Sequence, residues 1–292
     1  MSFMRVRLKE AWNWGGLSFK ELGRRTWKAM DEHDTLNQAA VIAFYAMLAL
    51  VPLLGVVLVA ALGARSGVSD EILRLSNQLL PPEADVLVRN QIEKIQSGSP
   101  VGILSFAAIV LLWSASSLFV AVMDMTSAAY GVRDHRPWWK RRLLALLLTL
   151  VEVVLLVGAT ASAVAWPAVL GRLGLGAVAA STATVAQWLV VLIALFAAFE
   201  VAYYFGPHVE QRWEWITPGA TLGTLILVAA SMGFRIYVYF GSSYSEAYGV
   251  LAGVVLLLLW LYLAALALLV GAEVNCVIEH AAPHGKAPGQ AS

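Results

Sequence analysis

Charge is scarce in this chain. Of its 292 residues only 13% are Asp, Glu, Lys or Arg, against about 25% in a soluble globular domain. Apolar residues make up 60% and the mean hydropathy is +0.73, which excludes water as the solvent for most of the surface. Cysteine is scarcer still. Cys276 stands alone, so neither an intrachain disulfide nor a cysteine-built metal cluster is available. The five histidines, His33, His135, His208, His280 and His284, lack metal-ligand spacing. There is no P-loop, no His-Glu-x-x-His and no Gly-x-Ser-x-Gly. No catalytic residue, metal or cofactor is therefore expected. Residues 1–28 hold seven basic side chains and no short apolar core, so a cleavable signal peptide is not expected either.

Long apolar runs take the place of these features. A membrane-crossing helix needs about 20 mostly apolar residues, and six stretches qualify: 39–64, 101–123, 143–166, 178–205, 216–240 and 248–278. Each is too long and too continuous for the alternating strands of a membrane barrel, and a lipid-facing backbone must satisfy its own hydrogen bonds. The expected fold is all-α: a polytopic membrane bundle of six transmembrane helices with short amphipathic interfacial helices. It divides into a cytoplasmic segment, 1–38, a transmembrane domain, 39–278, with an external helical connection at 65–99, and a disordered cytoplasmic tail, 279–292.

Orientation follows the basic residues. Fourteen Lys and Arg flank one side, chiefly in residues 1–28 and in Arg133, Arg136, Lys140, Arg141 and Arg142, and five flank the other. The richer side is expected in the cytoplasm, with both termini. Outside, Val68, Ile72, Leu75 and Leu79, then Val88, Ile92 and Ile95, recur at helical spacing on either side of Pro81 and Pro82. Inside, Phe19, Leu22 and Met30 alternate with Lys20, Arg24, Arg25 and Lys28. That pattern suits an amphipathic helix on an anionic leaflet; a solvated basic arm is the alternative.

Charges within spans suggest function by default. Glu152 lies near the middle of the third span and Arg235 near the outer end of the fifth. Asp124, Glu200 and Glu273 lie near the cytoplasmic ends of the second, fourth and sixth. Each has a plainer reading. The three acids have Arg133, Arg136, Lys140 and Arg141 within reach as partners, Arg235 can snorkel, and Glu152 can be a protonated, hydrogen-bonded acid. Ser114, Ser117, Ala121 and Asp124 share one face of the second span, and Thr221, Thr224, Ser231 and Arg235 one face of the fifth. Either stripe suits a polar pathway or close helix packing. Glu152, Asp124, Ser114, Ser117, Glu200, Arg235 and Glu273 are the candidate pathway residues. Pro52, with Gly55 soon after, is expected to kink the first span.

Several segments carry a family resemblance. They are Ala43-Phe44-Tyr45 with Val51-Pro52-Leu53, Leu112-Trp113-Ser114-Ala115-Ser116, Ala129-Tyr130-Gly131 and Arg136-Pro137-Trp138-Trp139-Lys140-Arg141-Arg142. Later come Tyr203-Tyr204-Phe205-Gly206-Pro207, Trp215-Ile216-Thr217-Pro218-Gly219-Ala220, Tyr248-Gly249-Val250-Leu251-Ala252-Gly253, Leu259-Trp260-Leu261-Tyr262 and Gly271-Ala272-Glu273-Val274-Asn275. As an ordered set over roughly 39–278 they resemble the YihY/BrkB family of bacterial inner-membrane proteins.

The resemblance implies six spans, an inner-membrane location and an association with virulence and serum resistance. It implies no mechanism, and the family's older ribonuclease label finds no nuclease cluster here. Three classes of function stay open. The chain is expected to transport a lipid or another amphiphilic or small solute; the alternatives are a structural or envelope-assembly protein acting through partners, and a membrane enzyme such as a nuclease. Membrane lipids and a lipid or small-molecule substrate are the expected partners, with no nucleic acid, and a homo-oligomer is compatible with this reading.

Overall fold

The computed structural model describes residues 14–63, 100–132, 134–173, 177–209, 216–240 and 250–282. The expected external connection, 65–99, and the tail beyond 282 lie outside them. Among the described residues every long element is a helix. After a short 3-10 turn, Trp14–Gly16, come α1 (Phe19–Glu32), α2 (Thr35–Gly63), α3 (Pro100–Ala129), α4 (Trp138–Leu173), α5 (Ala177–Phe205), α6 (Pro218–Phe240) and α7 (Val250–Ala281). Each of the six apolar stretches falls on one of the helices α2 to α7. Four of these, α3, α5, α6 and α7, are long and apolar enough to cross a membrane. Helix α2 continues through Pro52.

The chain divides into two compact units, one of residues Met1–Phe44 with Ser116–Ser292, the other Tyr45–Ala115. In the second, α2 runs on to Gly63 and α3 begins with Pro100 at its first turn, where the missing N–H costs nothing. Its Phe106, Ile109, Leu112 and Trp113 are exposed, as lipid-facing side chains are.

In the first unit a buried core joins three helices. Phe199 and Tyr203 of α5, Ala220 and Leu227 of α6, and Ala267 and Ala272 of α7 form one buried cluster. Met123 of α3 packs on Ala145 and Leu148 of α4 in another. Small residues are what bring α6 and α7 together. A Cβ on Gly219 would collide with the Gly271 carbonyl, and one on Gly271 with the Gly219 carbonyl and the Tyr203 hydroxyl. Close backbone approach of this kind replaces the hydrophobic drive that lipid does not supply. Helix α1 does not float free: its Leu22 is buried against Val274, Val277 and Ile278 of α7.

Candidate functional site

The polar side chains collect where the C-terminal ends of α3, α5 and α7 meet the N-terminal ends of α4 and α6. Helix α3 is closed there by a Schellman motif, with Val132 N–H donating to Ser127 O and Gly131 N–H to Ala128 O. Gly131 has φ 69°, a left-handed value that glycine adopts freely. The Ala-Tyr-Gly triplet is thus a helix stop, and Cys276 of α7 donates its thiol to the Ala129 carbonyl beside it.

The basic connection before α4 is tied down in turn. Arg136 donates to His208 Nδ1 at 2.9 Å and to the Pro207 carbonyl at 3.0 Å, while His208 N–H donates to Ser127 Oγ. Arg141 pairs with Asp124 at 2.7 Å, and Arg142 donates to Ser117 Oγ at 3.1 Å. Two of the candidate pathway residues are therefore holding α4 against α3.

Glu200 serves the backbone. Its carboxylate accepts the N–H of Thr217, the residue just before α6. Thr217 Oγ1 accepts from Ala220 N–H, and Asn275 of α7 accepts the Gly219 N–H at 2.7 Å. The first-turn donors of a helix have no intrahelical acceptor, so a buried start needs such partners. An anion at that positive end is also favoured electrostatically.

Glu273 pairs with a histidine rather than an arginine. His33, at the C-cap of α1, donates from Nδ1 to Glu273 Oε1 at 2.8 Å, and the carboxylate's side chain is 5% exposed. That hydrogen bond raises the His33 pKa above its ordinary value, against the opposing effect of burial, with Glu32 adding a smaller favourable charge. Glu273 Oε2 is buried with no hydrogen-bond partner.

Glu152 stands apart from this layer. It follows Ala145, Leu148 and Thr149 on the packed face of α4, about 21 Å along the helix from Trp138. Thr149 satisfies its hydroxyl on the Ala145 carbonyl, but Glu152 Oε1 is buried with no partner. Arg235 is exposed near the far end of α6, and Ser114, half-buried, belongs to the other unit. On the α6 stripe Thr221 donates to the Thr217 carbonyl and Ser231 accepts from Trp260 Nε1, while Thr224 Oγ1 is buried without a hydrogen-bond partner. Within the first unit, Glu152 and Arg235 thus lie apart from the layer that holds Asp124, Ser117, Glu200 and Glu273. Among the described residues no group of three His, Cys, Asp or Glu is placed to hold a metal ion.

Helix α1 carries less free charge than its sequence suggests. Glu21 pairs with both Arg24 and Arg25 at 2.8 Å, and Lys28 pairs with Glu32 at 3.2 Å. Phe19 and Trp27 are exposed on it.

Sequence comparison decides the family. The model for virulence factor BrkB matches residues 26–292. The chain belongs to this BrkB family. A Bacillus subtilis relative, named as the ribonuclease-like protein YfkH, is 28% identical over 84% of this chain and 90% of its own length. Proteins named UPF0761 membrane protein are similar too. That of Chromohalobacter salexigens is 28% identical over 88% of this chain, which spans 62% of that relative. One from Aliivibrio fischeri is 28% identical over 83% of this chain and 78% of the relative. No solved structure matches. With four helices among the described residues long and apolar enough to span, this BrkB-family chain is a membrane protein.

The residues that knit the layer include several the sequence did not single out. Asn275, Thr217 and Tyr203 lie within the resembling segments, yet nothing in their spacing announced that they would meet across α5, α6 and α7.

Proposed function

We propose that this protein crosses the bacterial inner membrane six times, with both termini in the cytoplasm, and moves a lipid or another amphiphilic solute across it. The observation that carries the reading is Glu152: a buried carboxyl oxygen without a partner, on the packed face of an apolar helix. An isolated acid at that depth costs about 2.5–3.5 kcal/mol by insertion measurements, a cost that function explains better than packing. The polar layer at the other end of α4 then acts as the fixed frame. Within it, Asp124, Ser117, Glu200 and one oxygen of Glu273 are held by partners. The orientation rests on the excess of basic residues at that end.

Nuclease activity is the less favoured reading: phosphodiester hydrolysis calls for a metal or a positioned acid–base pair, and among the described residues no group of three His, Cys, Asp or Glu is placed to hold a metal ion.

Reconstitution tests the reading. The purified full chain is placed in liposomes carrying fluorescent phospholipids in both leaflets, and an external quencher reports exchange between leaflets. Exchange well above that of protein-free liposomes supports transport. No movement of phospholipid or of small amphiphilic dyes would leave the assembly role as the better account.

A further inference from the structure

Helix α4 opens on Trp138-Trp139-Lys140-Arg141-Arg142. Neither indole is packed into the fold: Trp138 is 71% exposed and Trp139 58%. The Lys140 ammonium lies 5.3 Å from the centre of the Trp139 ring and forms no ion pair among the described residues. Its two basic neighbours are engaged elsewhere, Arg141 with Asp124 and Arg142 with Ser117 Oγ. The first turn of α4 holds no acid, and Pro137 before it brings no side-chain oxygen to cap the N–H groups there. Those groups lack an intrahelical acceptor, and a cation beside the positive end of a helix is electrostatically unfavourable. Exposed aromatic surface and unanswered positive charge thus coincide at one corner, at the end of an apolar helix.

We propose that this corner holds one anionic phospholipid, with its phosphate against Lys140 and its glycerol and upper acyl carbons against the indoles of Trp138 and Trp139. Charge complementarity selects the headgroup. A negative group here offsets Lys140 and the positive end of α4 together, which a zwitterionic lipid does only in part. The indoles select a lipid over a soluble anion. A free phosphate would answer the charge and leave both rings in water, whereas at headgroup level an indole has its apolar body in lipid and its N–H at the wet boundary. Basic side chains next to such rings add attraction to anionic lipid that falls off within a Debye length. The inference shares with the proposed function only the placement of the start of α4 at the membrane surface. It concerns a lipid that stays bound, whether or not any lipid is moved.

The test is lipid retention by the full chain in native mass spectrometry, as phosphatidylglycerol or phosphatidylcholine is titrated into detergent micelles. The proposal expects one phosphatidylglycerol to be retained at concentrations well below those needed for phosphatidylcholine. Lys140→Gln should weaken phosphatidylglycerol retention about fivefold, the loss expected of one cation beside anionic lipid, and leave phosphatidylcholine unchanged. Trp138→Ala should weaken both lipids, because an indole anchor does not read headgroup charge. Both side chains are exposed, so neither substitution disturbs the core. Equal retention of the two lipids would overturn the proposal, as would a phosphatidylglycerol preference that survives in Lys140→Gln or unchanged retention in Trp138→Ala. Displacement of the lipid by inorganic phosphate would assign the corner to a soluble anion and overturn it too. A dimer without retained lipid, split into monomers by Trp138→Ala, would give the corner to a second copy of the chain instead.

Discussion

Asn275 on α7 accepts the backbone N–H of Gly219 on α6 at 2.7 Å. Its amide nitrogen also donates to Thr217 Oγ1 at 3.1 Å, so one side chain closes the first turn of its neighbour from both sides. Three separate segments of sequence, around Glu200, Thr217 and Asn275, meet through this contact and through the bond from Thr217 N–H to Glu200.

Removing that amide should loosen the start of α6. Asn275→Ala leaves the Gly219 N–H without its acceptor in a buried site, at a cost of about 1–3 kcal/mol. Thermal unfolding in detergent should show a lower midpoint. Asn275→Asp keeps the acceptor for Gly219 and should lose less. An unchanged midpoint in Asn275→Ala would mean that water serves the turn equally well.

Glycine substitutions separate contact from open helix surface. Gly271→Ala drives a methyl group into the Tyr203 hydroxyl and the Gly219 carbonyl, and overpacking of this kind costs about 1–3 kcal/mol. Gly253→Ala, on the same helix, meets nothing within 4 Å and should be neutral or slightly stabilising. Comparing the folded fraction of the two variants by size-exclusion chromatography checks the close approach of α6 and α7. Equal behaviour would place the helices farther apart.

Much of this frame was legible in the sequence. Hydropathy located the helices from α2 to α7 because lipid imposes a length on any apolar span, and Phe19, Leu22 and Met30 marked α1. The partners of Glu200 and Glu273 were not legible. Proximity in sequence pointed to the arginines of the connection before α4; it did not announce that Glu200 serves a helix start 17 residues on and Glu273 a histidine 240 residues away. Charge pattern also overstated the basic face of α1, since Glu21 and Glu32 lie one helical turn from the residues they neutralise. Position along a helix gives depth; only the tertiary fold gives partners.

The His33–Glu273 pair predicts a pH dependence. His33 has a folded-state pKa above its ordinary value, so its contribution is fully present below about pH 6.5, the unfolded value. It is lost as pH rises through the raised folded value. The unfolding midpoint should therefore fall across that window, and His33→Gln should flatten the fall. A slope that is the same with and without His33 would assign the effect to another group.

Topology is open to direct labelling. In a Cys276→Ser background, single cysteines at Ser76 and Ser292 are exposed to a membrane-impermeant thiol reagent on intact cells. The proposed orientation expects reaction at Ser76 and none at Ser292 until the membrane is permeabilised. The opposite pattern would invert the protein.

Glu152 tests the central claim most directly, since its oxygen is buried without a partner among the apolar residues of α4. The measurement is amphiphile exchange in liposomes for the wild type, Glu152→Gln and Glu152→Leu, each first shown to fold by its unfolding midpoint. Removing an isolated buried charge site should leave stability equal or higher, particularly for Glu152→Leu. The account predicts that both variants fold and that both lose most of the exchange. Full exchange in a folded Glu152→Leu would contradict it, and Glu152 would then be incidental.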